Sequence, residues 1–155
     1  MKKLKAGAFG ALLSLCCMHA IAQDAKVPLN EPDRNKPSLF ADLPEKMDLR
    51  LNDMEKLFQP AMGSRVSVQV SDQFIFEGTM VSRADATDAS SHSVVFRSTN
   101  RPGATLTFTR TTSADGKMIY IGRIMSMHNG DAFVIRSEDG HYILQKKELY
   151  DLISE

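Results

Sequence analysis

The feature that most constrains this fold is a change in the spacing of apolar residues near Ser64. Before this residue, apolar side chains recur every three or four positions; after it, they alternate with polar ones. A period of two is typical of strands with one buried face, because successive side chains point to opposite faces of a sheet. The sequence therefore predicts a helical segment followed by a mostly β domain.

Seven alternating segments follow, separated by short turns rich in Gly, Asn and Asp. They cover residues 66–70, 74–81, 94–96, 104–109, 118–127, 132–136 and 141–146. These connections are too short for a crossover helix, so neighbouring strands should pair antiparallel. We expect a seven-stranded antiparallel meander curled into a small barrel or a bent sheet. Its strongest turn signal is Asn129-Gly130, which predicts a type I′ hairpin, and its longest connection is 82–91.

The helical spacing predicts an N-terminal helix over residues 44–59. Asp42 and Glu45 have the spacing of a capping box, and Pro44 suits a first helical turn. The apolar stripe of this helix consists of Leu43, Met47, Leu51, Met54, Phe58 and Ala61. A second, short helix is predicted at 147–154. The fold class is therefore α+β and mostly β.

A helix, then Val-x-Val-x-Val, a polar turn and Phe-x-Phe-x-Gly-x-Met-Val, resembles the opening of Sm-like barrels and, more loosely, of SH3-like barrels. The matching residues are Val66–Val70 and Phe74–Val81. Sm-like proteins hold a uridine with an Asp and an Asn in the next loop, and no such pair follows Asp85 here. The resemblance therefore implies a small bent sheet and carries no expectation of RNA binding.

The first 22 residues have the form of a secretory signal peptide. Three lysines precede an apolar run over residues 6–18, and the small residues Ala20 and Ala22 suit cleavage before Gln23. The run is shorter than the ~20 residues that span a bilayer, so no transmembrane segment is expected after cleavage. We expect a secreted or periplasmic protein. Its parts are a signal peptide (1–22), a proline-rich disordered linker (23–41) and one β-rich domain (42–155).

Composition then excludes several classes of function. Both cysteines, Cys16 and Cys17, lie in the leader, so the remaining 133 residues have neither a disulfide nor a thiol nucleophile. The leader also holds three of the 19 basic residues and no acidic one, which leaves 16 basic and 19 acidic residues. A net charge of −3 argues against a nucleic-acid partner, because phosphate binding needs clustered positive charge.

Turns of a meander alternate between its two ends, which places 82–91, 113–117 and 138–140 together. This predicted end is acidic and holds two histidines, so carboxylates could bind Ca²⁺ or imidazoles could bind Zn²⁺. The candidate ligands are Asp85, Asp88, His92 and His141. Turn composition alone also explains such a cluster, and the spacing matches no metal motif. The sequence therefore requires no cofactor, and a divalent cation stays a weak alternative.

No nucleophile elbow or glycine-rich phosphate loop is present, which disfavours an enzyme. We expect a small binding or interaction protein with a protein partner. Candidate contact residues are Arg97, Arg101, Tyr120 and Tyr142. Two alternatives stay open: a carrier of a small apolar ligand, and a metal-dependent or carboxylate enzyme that uses the acidic end.

The segment 118–127 is apolar on both faces, since Ile119 and Ile121 alternate with Met118 and Tyr120. A strand with two apolar faces is usually covered on both. The sequence favours the N-terminal helix as the cover of its outer face, with a partner protein as the alternative.

Overall fold

The computed structural model describes residues 37–85, 90–148 and 152. Eight antiparallel strands form one sheet, curled into a half-barrel, with the order β1-β8-β7-β6-β5-β4-β3-β2. The strands are β1 (Lys46–Asp48), β2 (Arg65–Ser71), β3 (Phe74–Asp85), β4 (Ser91–Ser98), β5 (Ala104–Thr112), β6 (Met118–Ser126), β7 (Asp131–Glu138) and β8 (His141–Glu148). The predicted antiparallel, mostly β architecture is confirmed, and the predicted count of seven strands is one too few.

The predicted N-terminal helix is largely wrong. Residues 46–48 form β1, in which Met47 pairs with Leu144 of β8. An unpaired strand edge leaves backbone N–H and C=O groups without partners, and satisfying them outweighs a local helical spacing. Within the predicted range 44–59, helical structure is confined to α1 (Leu51–Met54) and the 3₁₀ helix that continues it (Glu55–Phe58).

The concave face of the sheet is the core. It carries the buried side chains of Phe74, Phe76, Phe96, Phe108 and Phe133. The segment 39–58 covers this face with the buried residues Phe40, Leu43, Met47, Met54, Leu57 and Phe58. Most of the predicted apolar stripe is thus buried without forming one helix, although Ala61 is exposed. The segment overlaps residues 39–41 of the predicted linker, where Phe40 is fully buried.

The predicted type I′ turn at Asn129-Gly130 is wrong. Ser126 pairs with Asp131, so four residues make this connection, and the Gly130 N–H donates to the Ser126 carbonyl at 2.9 Å. A two-residue turn with positive φ angles occurs instead at Asp139-Gly140, where the φ angles are 48° and 84°. Two positive φ angles are what a type I′ turn requires. Sequence preference alone did not distinguish an Asn-Gly from an Asp-Gly turn.

Two other predicted elements differ or lie outside the described residues. The connection 82–91 is shorter than expected, because β3 continues through Asp85 and pairs it with His92. The predicted helix over 147–154 falls largely outside the described residues; within them, β8 continues through Glu148.

Two glycines on the concave face allow the sheet to bend. A Cβ at Gly122 of β6 would lie 2.8 Å from the Thr107 carbonyl oxygen and 2.8 Å from Ile135 Cδ1. At Gly78 of β3, the corresponding distance to the Arg97 carbonyl oxygen is 2.7 Å. Glycine inside a strand is typical of close backbone approach and strong curvature.

We expect Gly122→Ala to lower the free energy of unfolding by about 1–3 kcal/mol, because the added methyl group must push backbone and core atoms apart. Urea denaturation followed by far-ultraviolet circular dichroism measures this. Ser137→Ala, at an exposed position of the neighbouring strand β7, is the control and should shift the midpoint little. An unchanged midpoint for Gly122→Ala would contradict the role of this glycine.

Candidate functional site

Four cross-strand neighbours form a polar row on the concave face. Asp85 pairs with His92, His92 with Arg110, and Arg110 with Tyr120. Residues two positions further into these strands, such as Val94 and Phe108, are buried and apolar. The polar row therefore borders the core at the end of the half-barrel where β3 ends and β4 begins.

The polar row combines an imidazole, a carboxylate and a guanidinium. His92 Nδ1 lies 2.8 Å from Asp85 Oδ1, and Arg83 Nε lies 3.6 Å from Asp85 Oδ2. The Arg110 guanidinium lies 5.0 Å above the ring of Phe58. A His–carboxylate pair can exchange protons, and a guanidinium beside it can attract an anion. This is the chemistry that the row makes available.

Tyr120 joins the polar row to the helical segment. Its hydroxyl donates to Glu55 of the 3₁₀ helix, and its ring stacks on Phe108 with centroids 5.8 Å apart. The Tyr120 backbone N–H donates to the Tyr142 hydroxyl at 3.2 Å. Burial, with the nearby Glu55 carboxylate, raises the pKa of Tyr120 to about 12. Both tyrosines thus make internal contacts.

Arg101 holds the start of the described chain at the opposite end of the half-barrel. Its guanidinium donates to both carboxylate oxygens of Asp42, at 2.8 and 2.6 Å, and to the Leu39 carbonyl at 2.6 Å. It also lies over the rings of Phe40 and Phe74, at 5.7 and 5.4 Å. We call this arrangement the Arg101 clamp. Arg97, in contrast, is exposed on β4.

Of the three candidate cation ligands that the structure describes, it brings two together, namely Asp85 and His92. His141 lies on β8, with Nε2 3.9 Å from Asp48 Oδ1, and Asp88 lies outside the described residues. Three strands separate β4 from β8 in the sheet. Within ranges 37–85 and 90–148, no group of three or more His, Cys, Asp or Glu side chains is placed to hold a metal ion.

Sequence reasoning missed Arg110, Glu55 and Asp42. Arg110 carries a readable signal: it follows Ala104, Leu106 and Phe108 in the inward-facing phase of β5. A charged side chain in a buried phase is uncommon without a special environment. Glu55 and Asp42 carry no such signal, because their contacts depend on how the segment crosses the concave face.

The convex face of β6 is not covered by the helical segment, so the favoured prediction for it is wrong. That segment packs on the concave face instead, where Phe58 stacks on Phe108 with centroids 5.2 Å apart. Ile119 and Ile121 remain 38% and 57% exposed. We call the following exposed or half-buried apolar residues the β6 strip: Ile119, Ile121 and Met125 on the convex face of this strand, and Met127 in the turn after it.

In comparisons with known proteins, no family model, curated protein or solved structure matches the chain. Among the residues that the structure describes, none of the helices is long and apolar enough to cross a lipid bilayer. The function of this chain must therefore be inferred from its own surfaces and side-chain contacts.

Asp42→Asn should destabilise the protein at neutral pH by up to about 1 kcal/mol, because it breaks the Arg101 clamp. The hydrogen bond from Arg101 lowers the pKa of Asp42 below its ordinary value. A lowered pKa stabilises the fold above the unfolded value of about 4, and this contribution disappears as pH falls through the folded value. The difference between wild type and Asp42→Asn should therefore vanish in strong acid.

Denaturant titrations from pH 7 downward measure this difference, with Asp139→Asn in an exposed turn as the control. A difference that persists unchanged at pH values well below 4 would contradict an ionic role for Asp42.

One of the three tyrosines should ionise only near pH 12, and Tyr120→Phe should remove that step. Because the folded pKa is raised, the contribution of Tyr120 to stability is present below about pH 10 and is lost as pH rises through about 12. Ultraviolet absorbance of tyrosinate during alkaline titration measures the ionisation step in the wild type and its loss in Tyr120→Phe. Ionisation of all tyrosines together near pH 10 while the fold persists would contradict the buried Tyr120–Glu55 contact.

Proposed function

We propose that this chain is an exported interaction protein of the cell envelope or extracellular space, and that the β6 strip contacts its protein partner. The observation that carries the proposal is the exposure of Ile119 and Ile121, two successive convex-facing residues of one central strand. Single exposed apolar residues are ordinary, whereas adjacent ones on a rigid surface are typical of interaction sites.

The surroundings of the strip support the same proposal. Thr109 and Thr111 of β5 lie directly opposite Ile121 and Ile119, and Arg123 follows on the same face of β6. An apolar centre with a polar and arginine-containing margin resembles the anatomy of protein interfaces. The strip also ends in methionines, whose flexible side chains adapt to a partner surface. Export is proposed from the N-terminal leader sequence alone.

The alternatives have less support. A carrier of an apolar ligand needs space on the concave face, and the buried phenylalanines and the segment 39–58 occupy that face. An enzyme could use the His92–Asp85 pair, but within the described residues no further His, Cys, Asp or Glu side chain joins this pair to hold a metal ion. The interaction proposal needs only surfaces that the fold already exposes.

Ile121→Lys should abolish partner binding while leaving stability within about 0.5 kcal/mol, because the side chain is exposed. A photo-crosslinking amino acid at position 121 in the native host identifies the partner, and co-purification of that partner with wild type and with Ile121→Lys measures the loss of binding. A distinct crosslinked protein is expected from 121, and none from the control position Pro102, which is exposed in the turn between β4 and β5.

Equal labelling from both positions, or none from either, would contradict the proposal. Intact mass of the purified protein provides the separate test of export: it should correspond to residues 23–155, whereas a full-length mass in the cytoplasm would contradict signal-peptide cleavage.

A further inference from the structure

The outer edge of β2 presents backbone groups that no strand of the described sheet uses. β2 is the last strand in the sheet order, so only β3 pairs with it. The Met80 N–H donates to the Ser64 carbonyl, while the Glu77 carbonyl accepts from Thr99 on the other side of β3. Bonding direction alternates along an antiparallel strand. Ser67 and Gln69, opposite Glu77 and Ile75, therefore direct their N–H and C=O groups away from β3.

A groove of about 280 Å³ runs beside this edge, between β2 and the helical segment. Its apolar walls are Leu57 and Pro60 on one side and Val66 and Val68 on the other. A strand added to a sheet lies about 4.8 Å from its neighbour. The groove therefore offers both a row of hydrogen-bonding groups and an apolar wall for every second side chain of an added strand.

The chain itself already uses one end of the edge in this way. The Arg50 backbone N–H donates to the Val70 carbonyl at 2.8 Å, immediately before α1 begins. This contact closes the edge at Val70 and leaves residues 66–69 beside the groove, with Arg65 next to them in the strand. Native edge strands are usually protected by Lys, Pro or a bulge. Residues 66–69 of β2 contain no charged residue and no Pro, and the bulge lies beyond them, between Gln69 and Ser71.

We propose that the β2 edge binds an extended segment of another protein by strand addition. Alternate apolar side chains of that segment face Val66 and Val68, and an acidic side chain lies opposite Arg65. The charge assignment follows from Arg65, which is exposed and makes no ion pair within the described residues. Main-chain hydrogen bonds supply affinity in this mode of recognition, and alternate side chains supply specificity.

A second copy of this chain is a poorer occupant. Its own β2 strand, Arg65–Ser71, carries no acidic side chain to lie opposite Arg65 of the first copy. The inference rests on the proposed function only in taking the ligand to be a protein, and it uses a surface separate from the β6 strip.

The probe is the acetylated and amidated peptide Thr-Val-Thr-Val-Glu, titrated into the ¹⁵N-labelled protein. Saturable shifts and slowed hydrogen exchange are expected for the Ser67 and Gln69 amides. Substituting Lys for the peptide Glu should weaken binding about tenfold through repulsion from Arg65, and N-methylating the peptide backbone at the bonding positions should abolish it.

Ser67→Pro is the matched protein variant. Its lost N–H points to the groove, where an edge strand tolerates proline, so the β2–β3 ladder keeps its bonds. Peptide binding should weaken at least about tenfold in Ser67→Pro and stay unchanged in Ser67→Ala, which keeps the donor. The N-methylated peptide makes the same test from the ligand side if Ser67→Pro does not fold.

The inference is overturned by the absence of any saturable shift up to about 1 mM peptide. Shifts confined to other strands, or a concentration-dependent dimer that shifts the same amides without peptide, would also overturn it. Ile121→Lys should bind the peptide normally. Crosslinks from position 121 without peptide binding would therefore refute the strand-addition site alone, and the reverse result would refute the β6 strip alone.

Discussion

The concave apolar face of the half-barrel is the constraint on which the rest of the structure depends. A single curled sheet cannot cover this face with its own strands, so another part of the chain must cover it. The segment 39–58 does this by changing conformation along its length, from Phe40 at one end to Phe58 at the other. One straight helix would not follow that curve and also pair Met47 with β8.

The strands could be predicted from sequence because their information is local: alternation sets the buried phase, and short turns set the antiparallel order. The phase from Phe74 to Ile135 is buried as the alternation predicts. β1 could not be predicted, because its reason lies in the free edge of β8, with Leu144 97 positions after Met47. The polar row could be predicted in part, because the alternation of β5 places Arg110 on the inward face. The Arg101 clamp could not, because it depends on where the segment with Asp42 lies in the folded chain.

The same architecture determines which surfaces remain for other molecules. By covering the concave face, the segment 39–58 leaves the convex side of β6 exposed and ends beside β2 without pairing along its whole edge. The β6 strip offers side chains on a strand that pairs with β5 along its whole length and with β7 over Gly122–Ser126. The β2 edge offers backbone groups as well. The two surfaces therefore recognise their ligands by different chemistry. The β6 strip recognises shape and apolar side chains, whereas the β2 edge recognises an extended backbone.

The pairing of β1 with β8 also sets an order of events during biogenesis. During synthesis from the N-terminus, β1 is available early. The residues of β8 that pair with it, such as Leu144, are made almost last. The hairpins from β2 to β7 can form successively meanwhile, since each connects neighbours in sequence. The segment that contains β1 can cover the concave face completely only after β8 has been synthesised. A truncated or stalled chain therefore exposes the phenylalanines of this face, which chaperones can bind.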